Sequence, residues 1–175
     1  MKKGFVPILL IFAVVILAVG GLGAAAVVGQ APKCPNTNAT ARSEKELGDL
    51  LEKTKTVTVT DGEATTFAKK YVGDKVADPR VCFTDSLAHA SGNITLGPIS
   101  PSFYASAGID LSGNTPKATN LDIKVGALPN IPVLSSQVEQ AVTNLINENL
   151  AKAKLSKKYS ANFVLGSVTV KKISE

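Results

Sequence analysis

The stretch SFYASAGIDLSGNTPKATNLDIKVG, residues 102–126, decides the fold of this chain. Its first half alternates apolar and polar side chains, the pattern of a strand with one buried face. The apolar positions of that strand are Phe103, Ala105, Ala107, Ile109 and Leu111. Gly113-Asn114 is typical of a tight turn, and Leu121, Ile123 and Val125 then share one face of the return strand. We therefore predict an antiparallel hairpin over 102–126.

Two more strands are predicted immediately before this hairpin. The segment RVCFTDSLAHASGNITL has strand character over 80–83 and 87–96, with turn residues at Asp85-Ser86. Further upstream, TVTVT at 56–60 is β-branched throughout and predicts another strand.

Two short helices flank the TVTVT strand. Ser43 and Glu46 have the spacing of a capping box, which predicts a helix that begins there. Thr60 and Glu63 form a second capping box, and the helix that follows is predicted to end at Gly73.

A longer amphipathic helix and a final strand are predicted after the hairpin. Ser136 and Glu139 supply a third capping box. Apolar side chains then recur at helical spacing, at Val138, Ala141, Val142, Leu145, Ile146, Leu150 and Ala153. Residues 162–173 predict one strand, with Gly166 as a bulge or bend. This order of elements predicts an α+β domain over 43–175, in which a curved antiparallel sheet packs on an amphipathic helix.

The N-terminus predicts a cytoplasmic stub and a membrane anchor over residues 1–29. The uncharged run from Phe5 to Val28 would span about 36 Å as a helix, enough to cross a hydrocarbon core of about 30 Å. Lys2 and Lys3 favour a cytoplasmic N-terminus, which places the remainder outside the cytoplasm. Cleavage as a secretory signal near Ala24 is the open alternative.

A type IV pilin subunit is a further alternative for this N-terminus. The residues KKGF followed by an apolar run look like a prepilin leader, but Leu9 stands where pilins carry a glutamate. Pro32 also interrupts the helix that pilins continue into their globular head.

Residues 30–42, rich in Pro, Asn, Thr and Ala, predict an exposed tether between anchor and domain. Cys34 lies in this tether and Cys82 lies in a predicted strand. Both fall on the outer side of the membrane, where an oxidising compartment permits a disulfide. The competing interpretation leaves Cys34 free and buries Cys82 in the strand.

Catalytic, cofactor and metal motifs are missing from the sequence. It contains no glycine-rich phosphate loop, no nucleophile elbow and no clustered metal ligands. The only histidine, His89, is expected at a surface or strand edge rather than in catalysis. The net charge is +5, but the lysines are scattered along the chain, which indicates a solvated surface rather than a nucleic-acid interface. We expect a protein that is not an enzyme and has no cofactor.

Three segments together resemble single-pass envelope proteins of the YpmS and LmeA kinds. They are FTDSLAHASGNI, the hairpin from Ala107 to Pro132, and the helix VEQAVTNLINENLAKAK with the strand after it. The stretch VGALPNIPV looks like the glycine–leucine–proline link of those proteins between hairpin and helix. The resemblance covers residues 56–175 and implies a sheet that wraps a long helix and binds a lipid or lipid-linked glycan.

The side chains that we predict for such a ligand groove are Phe103, Ile109, Val138, Val142, Leu145 and Ile146. The same residues could instead close against one another as an ordinary core, and sequence patterning does not separate these two outcomes. The leading hypothesis is therefore a membrane-anchored extracytoplasmic domain that binds a lipid-like or amphiphilic ligand. The alternative is a structural or interaction protein of the envelope, whose sheet edge or tether contacts another component.

Overall fold

The computed structural model describes residues 25–27, 33–37, 39–72, 76–94, 100, 102–126, 155 and 157–173. Within these residues the chain forms two helices and eight strands. The helices are α1 (Glu44–Thr54) and α2 (Asp61–Val72). The strands are β1 (Ala25–Val27), β2 (Thr56–Thr60), β3 (Val76–Thr84), β4 (Leu87–Ile94), β5 (Ser102–Asp110), β6 (Lys117–Gly126), β7 (Tyr159–Val164) and β8 (Ser167–Lys172). The predicted α+β class is confirmed at this level.

The strands form two sheets. One has five strands in the order β1-β6-β5-β4-β3, and the other has three in the order β2-β8-β7. β1 runs parallel to β6, and the other neighbouring strands are antiparallel. Register shifts interrupt β3 after Ala77 and the β5–β6 pair after Ser106. Asp78 and Asn120 have positive φ at these irregularities, and such bulges bend the strands that contain them.

Both helices begin at the capping boxes that the sequence predicts. The Ser43 side chain accepts from the Glu46 amide at 3.2 Å, and the Glu46 carboxylate accepts from the Ser43 amide at 2.6 Å. At the second box, the Glu63 amide donates to the Thr60 hydroxyl at 3.4 Å, and the Thr60 amide donates to the Glu63 carboxylate at 3.2 Å. Because these bonds satisfy amides that lack a partner within the helix, they fix where each helix starts.

The hydrophobic core lies where α1, α2 and the three-stranded sheet meet β3. The rings of Phe83 and Phe163 lie 6.0 Å apart in this core, and Tyr159 is 2% exposed. Other buried members are Leu47, Leu51, Val57, Val59, Ala64, Phe67, Ala68, Val81, Ala88, Leu111, Leu155, Val168 and Val170.

The outer edge of β3 is covered by α2. The Val81 amide donates to the Thr65 hydroxyl at 3.0 Å, and that hydroxyl lies 3.1 Å from the Val81 carbonyl. The Phe83 amide donates to the Asp61 carboxylate at 2.9 Å, and the Phe83 carbonyl accepts from the Gly166 amide at 3.1 Å. These bonds satisfy backbone groups that an edge strand would otherwise offer to another chain.

β1 differs from the sequence prediction. Ala25–Val27 were predicted as part of the membrane helix, but they form a strand in register with Lys124–Gly126. The edge of β6 offers unpaired backbone groups that an extended segment can satisfy. In the part of the chain that the structure describes, no helix is long and apolar enough to cross a membrane. The rest of the predicted anchor and the predicted helix from Ser136 lie outside the described residues.

The C-terminal strand prediction was wrong in one respect. Residues 162–173 do not form a single bent strand, because β7 and β8 are two strands of a hairpin with Leu165 and Gly166 in its turn. Gly166 has φ of +83°, a conformation that glycine adopts without steric cost and that reverses the chain. The result is a second sheet rather than an extension of the first.

Candidate functional site

The inner face of the five-stranded sheet has a floor of small side chains. Ala88 pairs with Ala107, and Ala90 pairs with Ala105 two register positions further along, on the same face. All four alanines are at most 4% exposed. We call these four residues the alanine floor. Alanine projects little from a sheet, so whatever packs over this floor can approach the backbone closely.

Phe103 lies at one end of the floor and is fully buried. It pairs with Gly92, and a Cβ atom on that glycine would lie 3.2 Å from the Phe103 ring and 2.7 Å from Val76. The glycine is therefore required for the ring to pack there. Ile109, six residues further along β5 and about 20 Å away, is half-buried and packs against the core.

The remaining predicted groove residues, Val138, Val142, Leu145 and Ile146, lie outside the residues that the structure describes. Among the described positions, Phe103 and Ile109 share β5, where Phe103 is buried and Ile109 is half-buried. The structure thus places two of the six residues on one strand, and the groove itself stays a prediction.

The opposite face of the same sheet is polar and contains His89. This histidine was predicted at a surface or strand edge, but it is only 8% exposed and lies in β4, between β3 and β5. Its ring nitrogens are hydrogen-bonded to the Thr84 hydroxyl at 2.6 Å and the Tyr104 hydroxyl at 2.8 Å. The rings of His89 and Tyr104 are stacked with centroids 5.4 Å apart. Because both nitrogens have partners, the imidazole is buried at little cost.

Burial favours the neutral forms of both His89 and Tyr104. Burial lowers the pKa of His89, because the charged imidazolium loses hydration. Burial also raises the pKa of Tyr104, and the charge of Asp122 adds to that rise. A neutral imidazole can accept from one hydroxyl and donate to the other, so this cluster joins β3, β4 and β5 through neutral hydrogen bonds. The sequence indicates which face of β4 carries His89. Along this strand, Leu87, His89 and Ser91 alternate with small residues.

A disulfide attaches the tether to this polar face. Cys34 and Cys82 are bonded, with their Cα atoms 5.6 Å apart, and Cys34 is 2% exposed. The Cys34 amide donates to the Ser91 hydroxyl at 2.9 Å, and Arg80 donates to the Cys34 carbonyl at 3.3 Å. The tether therefore crosses β3 and β4 at a fixed point.

A second attachment holds the tether against α2. The Arg42 guanidinium donates two hydrogen bonds to the Glu63 carboxylate, at 2.7 and 2.8 Å, and a third to the Thr58 carbonyl at 2.6 Å. The Arg42 guanidinium lowers the pKa of Glu63. The Thr66 hydroxyl also donates to the Ala39 carbonyl at 3.2 Å. The segment predicted as an exposed tether is thus docked on the domain at both Cys34 and 39–42.

An open cavity of about 390 Å³ lies beside this second attachment, between the start of α1 and the face of α2. Lys70 pairs with Glu44 there at 2.8 Å, and Lys45 lies 3.6 Å from Asp49. Neither Phe103 nor Ile109, the two described groove residues, is among its lining residues. Half of its lining residues are charged and the cavity is open to solvent, so it is not an enclosed site for an apolar ligand.

Within the described part of the chain, no group of three or more His, Cys, Asp or Glu side chains is arranged to hold a metal ion. Comparison with protein-family models, with curated proteins and with solved structures finds no match. The resemblance to YpmS and LmeA therefore stays a prediction.

Proposed function

We propose that this chain is a membrane-tethered extracytoplasmic binding domain, without catalytic activity, whose ligand is lipid-like or amphiphilic. The observation that carries the proposal is the alanine floor on the inner face of the five-stranded sheet. The helix predicted from Ser136 offers an apolar stripe of matching character. An acyl chain between the short side chains of this floor and such a stripe would bury its apolar surface on both sides, which is favourable by about 25 cal/mol per Å².

The compartment is supported by two independent features. The Cys34–Cys82 disulfide is typical of proteins outside the reducing cytoplasm. The N-terminal pattern of two lysines before a long apolar run predicts the same location. A reporter enzyme that is active only outside the cytoplasm should be active when it is fused to the C-terminus. A cytoplasmic C-terminus would overturn this part of the proposal.

The alternative of an interaction protein that pairs through a sheet edge has less support. On β3 the outward backbone groups of Val81 and Phe83 are occupied by Thr65, Asp61 and Gly166. Part of the edge of β7 is also occupied, because the Ser86 amide donates to the Phe163 carbonyl at 3.5 Å. The occupied backbone groups disfavour strand addition by a partner at these two edges.

Lipid bound to the purified full-length chain tests the ligand. After gentle extraction, native mass spectrometry should detect a protein–lipid adduct. Ala105→Val, which adds two methyl groups to the floor, should weaken this adduct. Ala161→Val, at a half-buried position of β7 in the other sheet, should retain it. Circular dichroism confirms that each variant is folded. A wild-type chain that carries no lipid after exposure to total membrane lipid would contradict the proposal.

A further inference from the structure

Six lysines from three separate segments of the chain converge at one end of the three-stranded sheet, opposite the β7–β8 turn. They come from the last turn and C-cap of α1, from the entry to β7 and from the end of β8. We call them the lysine cluster: Lys53, Lys55, Lys157, Lys158, Lys171 and Lys172.

Backbone hydrogen bonds hold these three segments together. The Lys172 amide donates to the Lys55 carbonyl at 2.8 Å, and the Ile173 amide donates to the Lys158 carbonyl at 3.0 Å. Lys171 lies in register with Thr56 on one side and with Ser160 on the other. The cluster is therefore a fixed feature of the sheet and does not depend on flexible side chains meeting by chance.

One lysine of the cluster is neutralised inside the fold. The Lys172 side chain is 6% exposed and its ammonium lies 2.5 Å from the Glu52 carboxylate. The Lys172 hydrogen bond is the main cause that lowers the pKa of Glu52, and the charges of Lys157 and Lys55 contribute. Since Glu52 is matched by Lys172, the other five lysines leave an excess of positive charge, and all five are exposed.

An apolar side chain accompanies this charge. Ile173 directly follows Lys171 and Lys172 and is 43% exposed. Lysines around an exposed aliphatic side chain are the combination that binds the interface of an anionic bilayer, where ammonium groups meet phosphates and the apolar group enters the headgroup region. Tyr159, the aromatic residue nearest in sequence, is 2% exposed and so cannot stack on a base as single-stranded nucleic acid would require.

We propose that the lysine cluster docks this domain on a membrane surface rich in anionic phospholipid. This site is separate from the alanine floor, so it adds a second contact to the proposed function and does not depend on the identity of a bound lipid. Each exposed lysine near such a surface strengthens the association about fivefold.

The test uses the full-length chain in nanodiscs and acetylation of lysines by an N-hydroxysuccinimide ester, read by mass spectrometry. In discs that contain phosphatidylglycerol, Lys158 should label at least fivefold more slowly than in phosphatidylcholine discs. Exposed Lys45 and Lys69 should label equally in both. Addition of 0.5 M NaCl should remove most of the difference, because salt screens the attraction.

A matched pair of variants tests the site. Lys157→Gln/Lys171→Gln should abolish the protection of Lys158, with docking about 25-fold weaker. Lys45→Gln/Lys69→Gln removes the same charge elsewhere and should preserve it. Equal labelling of Lys158 in both kinds of disc, or equal loss in both variants, would overturn the proposal. Equal protection by a DNA oligonucleotide in phosphatidylcholine discs would also overturn it, as evidence of a general polyanion site. The lipid adduct of the proposed function should persist in both variants, which keeps the two tests distinct.

Discussion

At the scale of single residues, His89 illustrates how the fold removes a titratable group from solvent. Its ring lies on the polar face of β4 and has a hydroxyl partner at each nitrogen, Thr84 on one side and Tyr104 on the other. The buried ring is stable while neutral, because protonation would place a charge where hydration is lost.

His89 should therefore titrate below the ordinary value of 6.5. As the chain has one histidine, its imidazole proton signal in an NMR titration can be identified without mutagenesis. The unfolded chain binds this proton more readily than the folded chain, so the free energy of unfolding should decrease as pH falls below 6.5. His89→Asn should flatten that decrease. A midpoint at or above 6.5 would contradict the buried, neutral state.

The fold favours the charged form of Glu63, in contrast to the neutral form of His89, because Arg42 stabilises the carboxylate. Glu63→Gln should lower the free energy of unfolding by about 1–2 kcal/mol, an effect limited by the partial exposure of Arg42. Since the folded pKa is depressed, the contribution is complete above 4.5 and is lost as pH falls through the lower folded value. Glu46→Gln alters the equivalent capping-box position of α1, which is exposed, and should change stability by less than about 0.5 kcal/mol. Urea unfolding at pH 7 and pH 4 compares the two, and equal effects would exclude the Arg42 pair as the cause.

At the scale of elements, the β7–β8 hairpin depends on the conformation of one residue. Val164 pairs with Ser167, which leaves only Leu165 and Gly166 to reverse the chain. The turn then contacts the rest of the fold, because the Gly166 carbonyl accepts from the Asp61 amide at 3.1 Å and its own amide donates to Phe83. The hairpin turn thereby joins the start of α2 to the edge of β3.

Gly166→Ala isolates the backbone cost of this turn. A Cβ atom at this position meets no atom within 4 Å, so the loss comes from φ of +83° alone. We expect a decrease of about 1–2 kcal/mol in the free energy of unfolding. Gly166→Asn should cost less, because asparagine tolerates this region. Gly113→Ala, in an exposed turn where the added Cβ would make only an ordinary contact 3.6 Å from the Thr115 carbonyl oxygen, serves as the control and should change stability little. Thermal and urea unfolding measure all three, and equal losses at Gly113 and Gly166 would contradict a conformational cause.

At the scale of the whole molecule, the disulfide closes a long covalent loop between the tether and the domain. Cys34 and Cys82 are 48 residues apart, and the loop includes α1, β2 and α2. The crosslink therefore restricts the unfolded chain as well as holding the tether against the sheet.

Reduction of this disulfide should lower the free energy of unfolding by about 4 kcal/mol, the chain-entropy value for a loop of this size. Urea unfolding with and without dithiothreitol measures the change. The Cys34→Ser/Cys82→Ser double variant should match the reduced wild-type chain and should not respond to the reductant. Unfolding of the wild-type chain at the same urea concentration in both conditions would contradict a stabilising crosslink.

Local patterns predicted the elements that depend on neighbouring residues. The capping boxes of Ser43 and Thr60 determined where α1 and α2 begin, because the partners lie three residues apart. Alternation determined β2 and the β5–β6 hairpin, since a strand with one buried face repeats every two residues. For the candidate site, the same alternation placed Phe103 and Ile109 on β5.

Other features required the tertiary structure, because their partners are far apart along the chain. Alternation does not reveal whether Gly166 bends one strand or separates two, since that depends on the positive φ and on the contacts of the turn with Phe83 and Asp61. The burial of His89 depends on Tyr104, fifteen residues away. The lysines that look scattered in sequence meet only because β8 pairs with both β2 and β7.

The sequence by itself determined the α+β class and the starts of the first two helices, because local hydrogen bonds and side-chain periodicity act over a few residues. Only the tertiary structure decided the division into two sheets, the pairing of the cysteines and the convergence of positive charge at one end. The physical reason is that strand register and long-range packing bring together groups whose separation along the chain is 48 residues for the disulfide and 120 for the Glu52–Lys172 pair.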